Sequence, residues 1–198
     1  MRKRLMTTIT AGMLGGALVL SGCSAGEDQS HQGHDGDSSA SVPESGDSEM
    51  DHSSMEHPMD GGPAPEGIKD ASSPTYPVGT EVTLTADHME GMDGAKATIV
   101  GAFDTSTYAV NFTPTTGGDP VIDHKWVVQE ELKEAGDQRL ADGTEVTLEA
   151  EHMEGMNGAE AAVAFSTDET VYMVDYTADG MTMTNHKWVV ESEIEPAT

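Results

Sequence analysis

Basic residues are scarce in this chain: nine Lys and Arg stand against 36 Asp and Glu, a formal charge of −27. Such a surface repels nucleic-acid phosphates and anionic headgroups and draws cations, so DNA and RNA are excluded as partners. Cysteine is scarcer still. Cys23 stands alone, so no internal disulfide can staple the fold and the folded part offers no thiolate to a metal. Other signatures are missing too. There is no His-x-x-x-His pair for zinc, no Asp-x-Asn/Asp-x-Asn/Asp-Gly loop for calcium, and no Gly-x-Ser-x-Gly elbow or phosphate loop. A binding role without enzymatic chemistry is the expectation.

What is present begins with an address. Arg2, Lys3 and Arg4 precede a weakly polar and apolar run from Met6 to Leu20, which ends in Leu20-Ser21-Gly22-Cys23. A basic start, a short apolar core and small residues describe a secretory signal over residues 1–22 rather than a membrane span. The last four residues resemble the lipobox of bacterial lipoproteins, in which Cys23 becomes an acylated N-terminus. Localisation on the outer face of a cell membrane, held by a lipid, follows as an expectation. Loss of residues 1–22 leaves six basic residues against 36 acidic ones.

Residues 23–76 are rich in Gly, Ser, Asp, Glu and Pro, with one Tyr and no Phe, Trp or Leu. So little apolar surface cannot offset the entropy of ordering, and the segment reads as a disordered acidic stalk. It also carries His31, His34, His52 and His57 interleaved with Met50, Met55 and Met59. Imidazole and thioether together suit copper, the thioether favouring Cu(I).

The rest of the chain is duplicated. The stretch from Gly79 to Ala95, containing His88-Met89-Glu90-Gly91-Met92, returns from Gly143 to Ala159 with His152-Met153-Glu154-Gly155-Met156. His124-Lys125-Trp126-Val127-Val128 returns as His186-Lys187-Trp188-Val189-Val190, after a two-residue deletion near Gly117-Gly118. Two units, 77–136 and 141–195, are expected. Each reads as strands. Val82 and Leu84 alternate with Glu81 and Thr83, and Tyr108, Val110 and Phe112 with Thr107, Ala109 and Asn111, the period of a half-buried antiparallel sheet. Lys96–Phe103 and a segment from about Val121 to Val128 complete four strands, with Asp104-Thr105-Ser106 as a tight turn. A unit of about 60 residues has a small core, and curling would cover its sheet edges. The expected fold is all-β: two tandem small SH3-like β-barrel modules preceded by the disordered stalk, with Trp126 and Trp188 as core anchors.

Four positions per copy are candidate metal ligands: His88, Met89, Met92 and His124, then His152, Met153, Met156 and His186. Gly91 and Gly155 permit a turn that brings a histidine and a methionine towards one ion. The bland alternative is equally physical, since Met packs irregular cores and His caps turns.

The elements Gly-Met-x-Gly-Ala, Val-x-Phe/Tyr-Thr and His-Lys-Trp-Val-Val resemble the duplicated domain of YdhK-type bacterial lipoproteins over residues 78–195. That family includes surface-anchored proteins associated with copper tolerance. The resemblance implies that the chain binds or buffers copper outside the membrane. It carries this role to the motifs at 88–92, 152–156, 124–126 and 186–188. Copper as Cu(I) is the expected ligand, with a copper exporter or copper oxidase as a possible partner. Copy two departs from copy one in having Thr167 for Phe103 and in gaining Met181 and Met183, so equivalence of the two sites stays open. The competing expectation is an envelope-polymer-binding or adhesive module, marked by exposed aromatic residues in a groove.

Overall fold

The computed structural model describes residues 57–197; the signal segment, Cys23 and stalk residues up to 56 lie outside them. Nine strands run in chain order: β1 (Glu81–Leu84), β2 (Lys96–Phe103), β3 (Thr107–Phe112), β4 (Val121–Val128), β5 (Glu145–Thr147), β6 (Glu160–Thr167), β7 (Val171–Ala178), β8 (Met181–Val190) and β9 (Ile194–Pro196). The four strands expected in each repeat are present. Single 3-10 turns, Gln129–Glu131 and Glu191–Glu193, follow β4 and β8.

The expected pair of SH3-like barrels is not what forms. The strands make two open antiparallel sheets, a five-stranded one in the order β8-β7-β2-β1-β9 and a four-stranded one in the order β4-β3-β6-β5. Neither closes into a barrel. Each sheet joins hairpins from both repeats: β1-β2 of the first copy with β7-β8 of the second, and β3-β4 of the first with β5-β6 of the second. The central ladders, β2 with β7 and β3 with β6, therefore run between copies. The cause lies in the link Asp104-Thr105-Ser106. It does not fold β2 back onto β3 but carries the chain from one sheet to the other, as Asp168-Glu169-Thr170 does in the second copy.

The alternation is also stronger than half-burial. In β3, Tyr108, Val110 and Phe112 enter one apolar cluster with Leu148, Met156 and Val163, while Ala109 enters another. That second cluster joins Phe103, Val171, Met173, Trp188 and Val190 of the five-stranded sheet to Ala109, Trp126 and Val128 of the four-stranded one. A third cluster, built on Val82, Leu84, Ile99, Tyr172 and Val174, belongs to the five-stranded sheet. Strands buried on both faces keep few solvent-facing side chains, which is why β3 and β7 are almost wholly buried.

The stretch from His57 to Tyr76 lies against the sheets. Ala64 and Ile68 pack on the shared cluster, Ala71 and Tyr76 on that of the five-stranded sheet. Tyr76 donates its hydroxyl to the Ile194 carbonyl at 3.2 Å. These few apolar residues give the end of the stalk a surface to bury.

Candidate functional site

The site grows from two crossed carboxylates. Glu131 ends the 3-10 turn after β4 and is 4 % exposed. His152 Nε2 lies 2.8 Å from its Oε1, while Oε2 accepts Trp188 Nε1–H at 2.9 Å and the Val128 N–H at 3.2 Å. Glu193 repeats the arrangement with donors from the other copy. His88 Nε2 stands 2.7 Å from its Oε1, and Oε2 accepts Trp126 Nε1–H at 2.9 Å and the Val190 N–H at 3.2 Å. Each carboxylate thus collects a histidine and a tryptophan of the opposite repeat. The two tryptophans are core anchors, as expected, and the indole N–H of each is satisfied where it is buried.

Burial alone would push both carboxyl groups up. Beside His152, with Trp188 and the Val128 N–H, Glu131 is instead held below the ordinary carboxylate range. The bond from His88, with Trp126 and the Val190 N–H, does the same for Glu193. Both are therefore carboxylates, and an ionised carboxylate only accepts. His88 and His152 must then donate Nε2–H, which leaves a lone pair on Nδ1 whenever the ring is neutral. His88 Nδ1 and His152 Nδ1 are buried and make no hydrogen bond to a described residue; neither does His186 Nε2.

The other named positions sort into two groups. His186, 8 % exposed, sits edge-on to Tyr176 with centroids 5.4 Å apart. Burial, then the nearby His88, His152 and His57, push its imidazole down to about 3, so it is neutral at ordinary pH. His124 meets Phe112 at 5.8 Å and His152 at 6.1 Å. Histidines of the two copies thus lie near one another, His186 by His88 and His152, and His124 by His152. Met89 accepts the Tyr176 hydroxyl at 3.7 Å and, like Met153, lines a cavity between the two His-Met-Glu-Gly-Met loops. Met92 and Met156 are fully buried in separate apolar clusters, where they plug the core under each loop. Gly91 and Gly155 hold φ of 75° and 77°, and a Cβ on them would lie 2.4 Å from Asp179 Oδ2 and 2.6 Å from Thr116 Oγ1. The glycine therefore gives each loop both its turn and its close seat on a neighbouring hairpin.

Sequence reading missed Glu131 and Glu193. Their signal is present, a Glu five residues after each Trp of His-Lys-Trp, but it is hidden in acidic stretches that look like solvated ends. Among the described residues no three His, Cys, Asp or Glu side chains form a group that could hold a metal ion. What the arrangement offers is buried imidazole nitrogens.

The duplicated region matches a family described as a protein of unknown function, DUF1541, at residues 78–129 and 142–191. The uncharacterized protein YdhK of Bacillus subtilis is 46% identical over 184 residues, 92% of this chain and 85% of that one. A crystal structure of the DUF1541 family protein YdhK from Bacillus subtilis matches with 49% identity and a TM-score of 0.68, covering 69% of this chain and 94% of that one. A solution structure of the YdhK C-terminal domain matches at 52% identity and a TM-score of 0.58, over 61% of this chain and 92% of that one. With both repeats matched and most of its length shared with YdhK, the chain belongs to the DUF1541 family.

Proposed function

We propose that the protein binds copper as Cu(I) through its buried histidines and holds it outside the cell membrane, to which Cys23 anchors it by a lipid. The observation that carries this reading is the pair of buried imidazole nitrogens, His88 Nδ1 and His152 Nδ1, that find no hydrogen-bond partner among the described residues, on rings whose other nitrogen is fixed by a carboxylate. Metal-bound histidines are commonly oriented in this way, with the carboxylate setting the tautomer and raising the basicity of the ligating nitrogen. Imidazole nitrogens in so small a number suit an ion of low coordination number such as Cu(I), and fall short of the four ligands of structural zinc. The negative surface raises the local concentration of any cation. Sequestration or delivery towards a copper exporter or copper oxidase, in copper tolerance, is the corresponding role.

The polymer-binding alternative would be favoured by exposed aromatic residues grouped in a groove; both tryptophans are buried and Phe165 is 38% exposed. Copper titration of the chain, with Cu(I) and Cu(II) compared under competition from a chelator, tests the proposal. Stoichiometric Cu(I) binding is expected, with loss when His88 and His152 are both replaced by Asn. An intact chain that leaves Cu(I) with the chelator sinks it.

A further inference from the structure

Five methionines gather around one cavity. This cavity of about 810 Å³ is lined by His57, Met59, Met89, Met153, Met181 and Met183, with Glu90, Glu151 and Glu154 also in its walls. The six come from three sources. Met89 and Met153 come from the two His-Met-Glu-Gly-Met loops, and Met181 and Met183 from β8. His57 and Met59 belong to the end of the stalk, outside the duplicated region.

That end is seated as a strap along β8. The Thr184 N–H donates to the Met59 carbonyl at 2.9 Å, and the Gly61 N–H to the Thr184 carbonyl at 2.9 Å. Asn185 Nδ2–H donates to Asp60 Oδ1 at 3.0 Å, and His57 Nδ1–H to the His152 carbonyl at 3.1 Å. Gly61 is obligatory here, because a Cβ on it would lie 2.1 Å from the Asn185 carbonyl oxygen. The first repeat has Asp119 and Val121 where the second has Met181 and Met183, and no second strap among the described residues seats on its strand. Among the described residues the first repeat therefore supplies no counterpart to this methionine lining.

We propose that this cavity is a second cation site, separate from the buried histidines, in which thioethers of both loops, β8 and the strap take a soft monovalent ion. Thioether sulfur is a neutral, polarisable ligand that selects such ions over the harder divalent ones, and no thiolate is needed. Carboxylates in the walls draw the cation in, while Met59 and Met181, 50% and 53% exposed, are within its reach from solvent. The proposal rests on the copper reading for the identity of the cargo but not for the site.

Silver(I) is the probe, followed on the full chain by NMR of isotope-labelled methionine methyl groups and histidine rings. The expected result is movement of the Met59, Met181 and Met183 methyl signals at the first or second equivalent. Replacing Met59 and Met181 together by Leu should weaken this event at least tenfold and leave the histidine response in place. Gly61→Val should weaken it comparably by unseating the strap. Silver bound with cavity methyls unmoved, or bound equally well by the Met59/Met181 variant, overturns the site. Undiminished binding by Gly61→Val overturns the strap's part in it. Methyl movement without movement of the His88 and His152 rings upholds the cavity and counts against the buried-histidine reading.

Discussion

The most consequential side chains at the residue scale are two glutamates that look like surface decoration in the sequence. Glu131→Gln keeps the shape and the oxygen that accepts Trp188 but removes the charge facing His152. A cost of about 2–3 kcal/mol in denaturant unfolding is expected, since a buried charge partner is lost. Glu193→Gln should cost less, because the Glu193 side chain is 13% exposed and solvent screens it. Each change should weaken Cu(I) binding about 10–100-fold in chelator competition, the usual effect of removing a carboxylate behind a metal-bound histidine. Equal affinity in both variants would detach the carboxylates from the metal reading. Acid sensitivity of the metal-free chain follows from His186. Its imidazole ordinarily titrates near 6.5 but only at about 3 in the fold. Below 6.5 the unfolded chain takes up a proton that the folded chain refuses, so stability falls as pH drops, by up to about 1.4 kcal/mol per unit. Glu131 and Glu193 have depressed values in the fold. Their contribution is present above 4.5 and is lost as pH falls below it. Urea midpoints between pH 7 and 5 should therefore decline, and His186→Phe should flatten that decline.

Among the elements, the His-Met-Glu-Gly-Met loops and the short links carry most of the information. The loops were legible in part. A histidine at the rim, a glycine with positive φ and a methionine able to plug a core can all be read from residue chemistry. Which methionine does which task cannot, because Met89 and Met92 differ only in the side of the turn on which they fall. Gly91→Ala and Gly155→Ala should each destabilise by about 1–3 kcal/mol in chemical denaturation, from a strained φ and from collision with Asp179 or Thr116. A neutral effect would show that the loops are not held against the hairpins. The strands themselves were readable from their period and β-branched residues. Their pairing was not. Three residues such as Asp104-Thr105-Ser106 serve equally as a hairpin turn or as a crossing between sheets, and the choice is made by which partner strand buries β2 and β3 best. The barrel expectation failed at that point.

The molecule as a whole is two repeats that complete one another. Among the described residues both carboxylate–histidine pairs and both central ladders join one copy to the other, so one repeat alone has neither a finished sheet nor a finished site. A fragment of residues 77–136 should be unfolded alone, or should associate into a two-chain assembly that exchanges hairpins, as read by circular dichroism and sedimentation. A folded, monomeric fragment would contradict this. The repeat was legible from the recurrence of Gly79–Ala95 at Gly143–Ala159, but a repeat in sequence does not say whether the copies stand side by side or interlock.

The strap along β8 has a consequence unrelated to any ion. β8 is the longest strand and lies at the border of its sheet, a row of backbone donors and acceptors open to another chain. Met59, Asp60 and Gly61 occupy the middle of that row. Where copies of the protein are crowded together, this short cover would hinder the sheets of neighbouring molecules from annealing edge to edge.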